Sequence, residues 1–341
     1  VISVDLLIAG FGVVGQGLAE VLRTRGKRLG SRFGRELRIV GVFDSGTFAS
    51  SADGLDPAQL LTAKRSTGRV GTEEHGGDTR SIVREMDYDV LIELTPTVIT
   101  SPGPGFDHIR CALERGKDVV TCNKGPLALR FRELSRIAAG NGARMRFEGA
   151  VGGAMPVINL SREILSGETV LSIRGILNGT CNFILHRMGE EGLPLRQALK
   201  EAQEIGIAEK DPSYDIDGVD SACKVAILAN AIMGMDATYP DVRTVGIGGI
   251  TEEAVALAAE QKKVIRLIGE VSERRLEVSP RLVPMGHPLS VGGTLNMVQI
   301  KTDIAGEITV AGKGAGKMET ASAVLSDLVA LMRESRINQY R

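Results

Sequence analysis

The chain reads as an α/β protein: a doubly wound, largely parallel sheet followed by a smaller α+β domain. Three observations carry that reading. Short aliphatic runs alternate with helical stretches through the first 150 residues, the pattern that builds parallel sheets. A glycine-rich turn, Gly10-Phe11-Gly12-Val13-Val14-Gly15, joins the first such run to the first helix. Beyond residue 156 the alternation gives way to successive helices and then successive strands, which marks a second domain. A length of 341 residues agrees, being too long for one ordinary core.

The elements follow from local pattern. Residues 4–9 are a β-branched and aliphatic strand, and a helix runs from the glycine turn to about residue 26. The basic stretch 25–35 reads as a helix end and loop, and 38–43 as the second strand. Residues 45–88 are polar and irregular, with loops and one or two short helices expected. Strands are expected at 89–94, 118–121 and 144–147, with helices at 106–115 and 127–139 between them. In the second part, helices are expected at 156–165, 180–190, 195–204, 219–233 and 252–264. Strands are expected at 172–177, 276–284, 296–302 and 306–311, forming a mixed or antiparallel sheet, and 319–333 is a final helix. The expected dinucleotide-binding domain is 1–147 completed by 312–341, and the substrate-binding and dimerisation domain is 148–311.

Composition excludes several classes. Apolar content of 43% and charged content of 24% are those of an ordinary globular protein. A net charge of −1 offers no basic surface for nucleic acid or for an acidic membrane. Aromatics at 4%, with no Trp, leave few platforms for stacking bases. Cys111, Cys122, Cys181 and Cys223 lack CxxC spacing and sit in apolar contexts, which favours reduced thiols. His75, His108, His186 and His287 form no ligand pair on one helix, so a histidine metal site is not expected. The first apolar run is short and breaks into glycines, unlike a signal peptide. No segment reaches the roughly 18 apolar residues of a membrane span. A cytoplasmic location is therefore expected, with no membrane or nucleic-acid partner.

The glycine turn carries the first chemistry. Because it follows a strand and opens a helix, it reads as the phosphate loop of a Rossmann-type fold. Gly10 permits the tight turn, Gly12 lets the backbone approach a pyrophosphate, and Gly15 lets helix and strand pack closely. The anion would sit on the helix N-terminus, where unpaired N–H groups and the dipole favour it. Asp44 ends the second strand, where an acid would bind a ribose hydroxyl and favour NAD over NADP. It lies farther from the glycines than the usual interval of about 20 residues, and the stretch 25–35 would absorb the excess. Lys64 and Arg65 would also reach a 2′-phosphate, so the sequence leaves the choice of NAD or NADP open. The strand ends at Thr95 and at Lys124 would line the same crevice.

The second chemistry lies between Gly206 and Lys224. Glu209, Asp211, Asp215, Asp217 and Asp220 crowd a loop that runs into an apolar helix. Its one lysine, Lys224, stands four residues after Asp220, on the same helical face. Read alone, the pair is either an exposed surface ion pair or a proton donor held by an acid. Asp211, Asp215 and Asp217 read as turn and capping residues.

Together these segments resemble the homoserine dehydrogenase family over about residues 4–333. The resemblance rests on Gly10 to Gly15, Thr95-Pro96-Thr97, Asn123-Lys124-Gly125-Pro126-Leu127-Ala128, Glu148-Gly149-Ala150-Val151-Gly152-Gly153, and Gly175-Ile176-Leu177-Asn178-Gly179-Thr180. Ala208-Glu209 with Asp211-Pro212, Gly218-Val219-Asp220 leading to Lys224, and Gly312-Lys313-Gly314-Ala315-Gly316 complete it. It implies NAD(P)-dependent interconversion of L-aspartate 4-semialdehyde and L-homoserine, on the route to threonine, methionine and isoleucine. It implies that Lys224 is the proton donor to the carbonyl oxygen, with Asp220 and Lys124 as further catalytic residues, that Asp220 and Glu209 bind substrate beside Thr180, and that Thr95, Cys122 and Lys124 lie on the cofactor side. Phe11, Val13 and Val14 would touch the dinucleotide through their backbone, and Gly316 would return to it.

The resemblance also implies a monovalent-cation site, usually sodium, built by the main chain of Glu148, Val151, Gly153 and Met155. It implies a homodimer, and the strands 172–177 and 296–302, expected to have free edges that need a partner, point the same way. The chain ends soon after its last expected helix, so the ligand-sensing domain or fused kinase of some relatives, and threonine feedback through it, is not expected. Gly125, and Cys122 before Asn123, are departures at the pocket edge. Two alternatives stay open at this point: another amino-acid semialdehyde reductase, and a non-catalytic dinucleotide sensor.

Overall fold

The computed structural model describes residues 2–101 and 103–337. Residues 1, 102 and 338–341, some of which the expected domain limits include, lie outside the described residues. The chain divides into two compact units: residues 1–150 with 316–341, and residues 151–315.

The first unit holds a seven-stranded sheet. Its elements run β1 (Ile2–Ala9), α1 (Val13–Phe33), β2 (Arg35–Phe43), β3 (Thr47–Ser50), α2 (Pro57–Thr67), β4 (Glu73–Glu74), α3 (Thr79–Glu85), β5 (Val90–Glu93), α4 (Gly103–Glu114), β6 (Asp118–Thr121), α5 (Lys124–Gly140) and β7 (Met145–Arg146). The order is β4-β3-β2-β1-β5-β6-β7. Strands β2, β1, β5, β6 and β7 are parallel, while β3 and β4 add an antiparallel edge. The chain winds one way from β1 to β2 and the other way through β5. The crevice at the carboxyl ends of β1 and β5 is therefore the switch point where ligands bind in such sheets.

Two expectations for this unit change. Helix α1 does not stop near residue 26; it continues to Phe33, and Gly34 ends it in the left-handed region at φ 67°. The basic stretch is thus helix leading straight into β2, and no loop absorbs the distance to Asp44. The helix survives because Leu18, Leu22 and Phe33 stay on its buried face. The polar segment 45–88 contains two helices as expected, but also β3 and β4. Both are short, β4 is exposed at the sheet's edge with β3 beside it, and there is little alternation to reveal them.

The second unit holds a six-stranded sheet. Its elements are α6 (Val157–Asn159), continued by a π-turn over Leu160–Ile164, then β8 (Val170–Ile176), α7 (Gly179–Glu191), α8 (Leu195–Glu204), α9 (Ser213–Ile216), α10 (Val219–Met233), β9 (Arg243–Thr244), α11 (Glu252–Glu260), β10 (Lys263–Ser272), β11 (Arg275–Pro284), β12 (Leu295–Thr302) and β13 (Glu307–Lys313). The order is β13-β12-β8-β10-β11-β9, antiparallel except for β9 on β11. Helix α10 packs on β10, β11 and β8, and α7 on β10 and β12.

The expected helix 252–264 stops short at Glu260, and its last two residues, Lys263 and Val264, open strand β10 instead. Lys263-Val264-Ile265-Arg266-Leu267-Ile268 fits a helical face as well as a buried strand. The break comes at Lys262, the only non-glycine with positive φ among the described residues, at 55°. A glycine there would have announced a helix end; a lysine does not. The dimer argument changes too. Strands β8 and β12 each pair on both sides, so neither has a free edge. The edge strands are β13 and the two-residue β9.

The chain closes with α12 (Lys317–Ile337), which returns to the first unit. Val324, Leu328, Leu331 and Met332 join Leu6, Ile8, Leu18 and Ile92 in one core. Its approach to α1 needs a glycine: a Cβ at Gly17 would come 2.8 Å from the Lys317 carbonyl oxygen. Gly17→Val should therefore lower stability by about 1–3 kcal/mol through overpacking. Denaturant unfolding measures this, and an unchanged midpoint would refute the packing argument.

Candidate active site

In the first unit the glycine turn takes the form its sequence demands. Gly10 sits at φ 96°, and a Cβ there would come 2.8 Å from the Leu94 carbonyl group. The turn after β1 is thus pressed against the end of β5. A Cβ at Gly15 would meet the Gly10 carbonyl oxygen at 2.6 Å, whereas around Gly12 there is nothing within 4 Å. Gly12 caps α1 without a side-chain hydrogen bond, which leaves first-turn N–H groups for an anion. Phe11 is buried in the core, so only its backbone is on offer, while Val13 is exposed and Val14 half-buried. Gly316, at φ 135°, leads into α12, and α12 packs on α1.

Asp44 follows β2 directly. Its Oδ1 accepts from the Gly46 and Thr47 N–H groups at 3.0 and 2.8 Å and from the Thr47 hydroxyl at 3.1 Å. Its Oδ2 accepts from Lys64 Nζ at 2.6 Å. Burial disfavours the charged form, but the Lys64 ammonium and the two N–H groups outweigh it and bring the carboxyl down to about 2. Asp44 therefore does not stand as a bare acid waiting for a ribose, which corrects the simple argument for NAD. Arg65 is exposed and makes no contact with Asp44.

A buried polar cluster lies at the ends of β5 and β6. Glu93 is fully buried, and its Oε1 accepts from the Thr95 N–H at 3.1 Å and from the Thr95 hydroxyl. The Thr121 hydroxyl stands 3.2 Å from Glu93 Oε2. Asn123 caps α5 by accepting from the Gly125 N–H at 3.1 Å, and Lys124 is the first helical residue. A cation at a helix N-terminus opposes the dipole by roughly 0.3–1 kcal/mol. Gly125 has its own reason: a Cβ would lie 2.0 Å from the Val98 carbonyl oxygen. Cys122 turns its thiol toward Gly149, where a Cβ would meet Sγ at 2.4 Å, and burial raises its pKa far above the usual thiol value. The expected cofactor contact at position 122 can then come only from its main chain.

In the second unit Lys224 and Asp220 are not a surface pair. Both side chains are only 8% exposed, and Lys224 Nζ donates to Asp220 Oδ2 at 2.7 Å. Nζ also donates to the Leu177 carbonyl oxygen at 2.7 Å, just past the end of β8. An ammonium has three N–H donors, and among the described residues the third has no acceptor. Helix α10 is buried at every position from Asp220 to Asn230 and is bounded at both ends by left-handed Gly218 and Gly234. Asp220 sits in its first turn, where the dipole favours an anion.

Asn178 extends the site. Its Nδ2 donates to Asp215 Oδ1 at 2.6 Å and to Asp220 Oδ2 at 3.0 Å, while its Oδ1 caps α7 by accepting from the Cys181 N–H. Asp215 thus belongs to the cluster, which corrects its reading as a turn residue. Burial, then the neighbouring Asp220, raise its pKa. No local signal marks it, because its partner lies 37 residues earlier. The Thr180 hydroxyl lies 3.2 Å from the Ile207 carbonyl oxygen and also faces the Asp215 carboxylate, and its single proton serves one of these two acceptors at a time. Glu209 is not drawn in: it is exposed, and its carbonyl oxygen accepts from the Gln203 amide at 3.0 Å. Asp211 does act as a turn acid, accepting from the Ser213 N–H at 3.1 Å.

Of the residues expected at a cation site, Glu148 is buried, its N–H donating to Asp327 at 2.8 Å. Val151 and Met155 are buried in the other unit, and Gly153 is left-handed at φ 54°. Among the described residues no group of three or more His, Cys, Asp or Glu side chains gathers as metal ligands.

Comparison with known proteins accounts for both units. A model described as the NAD-binding domain of homoserine dehydrogenase matches residues 10–148, and a homoserine dehydrogenase model matches residues 156–329. The homoserine dehydrogenase of Methanocaldococcus jannaschii is 46% identical over 335 residues, covering 97% of this chain and 99% of that one. A crystal structure from Archaeoglobus fulgidus, provisionally named homoserine dehydrogenase, aligns with a TM-score of 0.90 at 48% identity, covering 96% and 99% of the two chains. A hyperthermophilic archaeal homoserine dehydrogenase in complex with NADPH aligns with a TM-score of 0.84 at 31% identity, over 96% and 97%. With a phosphate loop in one unit, a buried lysine–aspartate pair in the other and matches along nearly the whole length, the chain belongs to the homoserine dehydrogenase family.

Proposed function

We propose that the protein is an NAD(P)-dependent oxidoreductase that interconverts L-homoserine and L-aspartate 4-semialdehyde. The observation that carries this reading is the Lys224 ammonium, buried and aimed by Asp220 and the Leu177 carbonyl. When bound, the nicotinamide dinucleotide gives or takes the hydride. Lys224 handles the proton. In aldehyde reduction it donates an N–H proton to the carbonyl oxygen as negative charge builds there; in the reverse direction it receives the hydroxyl proton. Asp220 orients the ammonium through the 2.7 Å hydrogen bond from Nζ. Asp215, Asp220 and Thr180 offer acceptors to the α-ammonium of an amino-acid substrate, with Glu209 as a second acid from its exposed loop.

On the cofactor side, the loop Gly10 to Gly15 holds the pyrophosphate, with Thr95 and Lys124 toward the nicotinamide and Gly316 closing the site. Support comes from the open space at Gly12 and from the NAD-binding model matched there. The neutralised Asp44–Lys64 pair supports use of both NAD and NADP, and the relative solved with NADPH is consistent with the second. A monovalent cation on the carbonyls of Glu148, Val151, Gly153 and Met155 belongs to the same reading; the left-handed Gly153, where a Cβ would come 2.5 Å from the Gly314 carbonyl oxygen, supports it. So do a homodimer and a cytoplasmic location. The open edge strand β13, half-exposed along its length, supports the dimer. Among the described residues no helix is long and apolar enough to cross a membrane.

An assay following reduced nicotinamide absorbance, with L-homoserine and either NAD+ or NADP+, tests the whole reading. Lys224→Ala should lower kcat at least about a hundredfold while the variant still binds NADH by fluorescence. Its melting temperature should also fall, because the Asp220 carboxylate stays buried without the ammonium that balances it. Activity near wild type would remove Lys224 from the mechanism.

Lys64→Met leaves the Asp44 charge bare against a 2′-phosphate. The ratio of kcat/KM for NAD+ over NADP+ should rise about tenfold, the equivalent of roughly 1.4 kcal/mol. An unchanged ratio would show that the pair does not face the cofactor. The same variant has a pH signature. A depressed native pKa adds stability above the unfolded value of about 3.9. That stability is lost as pH falls through about 2. The stability gap between wild type and Lys64→Met should therefore be full above about pH 4 and close by about pH 2. Thermal unfolding across that range measures it.

A further inference from the structure

We infer that Glu93 is a positioning residue that fixes the direction of the Thr95 hydroxyl, so that Thr95 presents only an acceptor to the carboxamide of the nicotinamide. This deepens the proposed function and rests on its placement of Thr95. The starting observation is a carboxylate that stability does not explain. Glu93 is fully buried at the end of β5, and among the described residues the only basic side chain within 4.0 Å of its carboxylate is the His108 ring, 3.9 Å away. Burying an acid so weakly paired costs several kcal/mol where an amide or a hydrocarbon would pack as well.

What the carboxylate does is accept. An ionised carboxylate has no donor. The Thr95 N–H and the Thr95 hydroxyl both point to Oε1, and the Thr121 hydroxyl lies 3.0 Å from the Glu93 carbonyl oxygen and 3.2 Å from Oε2, with one proton for the two. The Thr95 proton is therefore committed inward. Of the two lone pairs on its oxygen, one faces Asn123 Nδ2 at 3.3 Å. One lone pair is left, so Thr95 can receive a hydrogen bond from a ligand and cannot give one. The Asn123 amide is fixed by the same chain, and its Oδ1 sets the first turn of α5, where Lys124 begins.

The packing keeps water from scrambling these directions. Helix α4 presents Gly105 to the cluster, and a Cβ there would come 2.4 Å from Asn123 Nδ2 and 3.2 Å from both Glu93 Oε1 and Thr95 Oγ1. His108, on the same helix, is itself buried, its Nε2 bonded to the Thr79 hydroxyl at 2.7 Å. The ligand group that matches an acceptor-only hydroxyl at a nicotinamide site is the carboxamide NH2. A 3-acetylpyridine dinucleotide carries a methyl ketone in its place and has no donor.

The test compares the natural dinucleotide, NAD+ or NADP+ as the enzyme prefers, with its 3-acetylpyridine analogue. The quantity read is the ratio of kcat/KM for the two, relative to wild type, which cancels their different redox potentials. Glu93→Gln keeps the shape but adds a donor, freeing or reversing the Thr95 hydroxyl. The wild-type preference should shrink about tenfold. Thr95→Val, which leaves Glu93 in place, should shrink it similarly, whereas Thr95→Ser should keep it. Equal losses for both dinucleotides in Glu93→Gln would mean a merely structural role and overturn the inference. If Glu93→Gln does not fold, an unshrunk ratio in Thr95→Val overturns it instead. Should wild type fail to oxidise L-homoserine with either cofactor, the proposed function falls. The ratios of calorimetric dissociation constants for the same two dinucleotides then decide the role of Glu93 independently.

Discussion

A lysine ammonium withdrawn from water must find its acceptors in the protein, and the second unit is arranged around that need. Lys224 lies on a helix whose other faces are all packed, so its charge has no route to solvent along the surface. Two acceptors answer it, Asp220 one helical turn back and the Leu177 carbonyl at the end of β8. Each is itself held. Asn178 donates to Asp220, and the Asn296 amide donates to the same Leu177 carbonyl at 3.0 Å. Asn178 also caps α7, so one side chain ties the start of a helix to the acid that holds the lysine. The arrangement is costly if broken, since removing one partner of a buried pair costs about 3–5 kcal/mol. A proton donor gains from that rigidity, because its remaining N–H keeps one direction.

The first unit solves a different problem, which is bringing backbone close to a ligand and to itself. Gly10, Gly15 and Gly17 each occupy a place where a Cβ would collide with another main-chain atom. They bring the loop after β1 against β5 and α12 against α1. Gly12 differs, because nothing of the protein fills the space beside it. Charges here are organised by carboxylates. Asp44 gathers the turn after β2 and Lys64, and Glu93 gathers Thr95 and Thr121. A carboxylate that only accepts orders the donors around it, and both sit where dinucleotide-binding sheets present their strand ends.

Much of the fold was legible because it depends on short-range pattern. Helices α8 and α10 and strand β6 have the limits that their periodicity indicates. What escaped depends on distant partners or on absent signals. Strand β10 is a strand because β8 and β11 flank it and Lys262 breaks the preceding helix. Its own residues suit either state. Strands β8 and β12 are interior because of the order of the sheet, which no single strand encodes.

The site divides in the same way. Sequence by itself determined the phosphate loop and the Asp220–Lys224 spacing, because both are contiguous and their geometry follows from a tight turn or from 3.6 residues per helical turn. It also carried the family resemblance. Only the tertiary structure decided that the lysine pair is buried, that Asp215 joins it and Glu209 stays outside, and that Asp44 already has a cation. It also decided that Glu93 aims a threonine. The physical reason is the same for each: burial and hydrogen-bond partnership are properties of groups far apart in the chain, and they exist only once folding has brought those groups together.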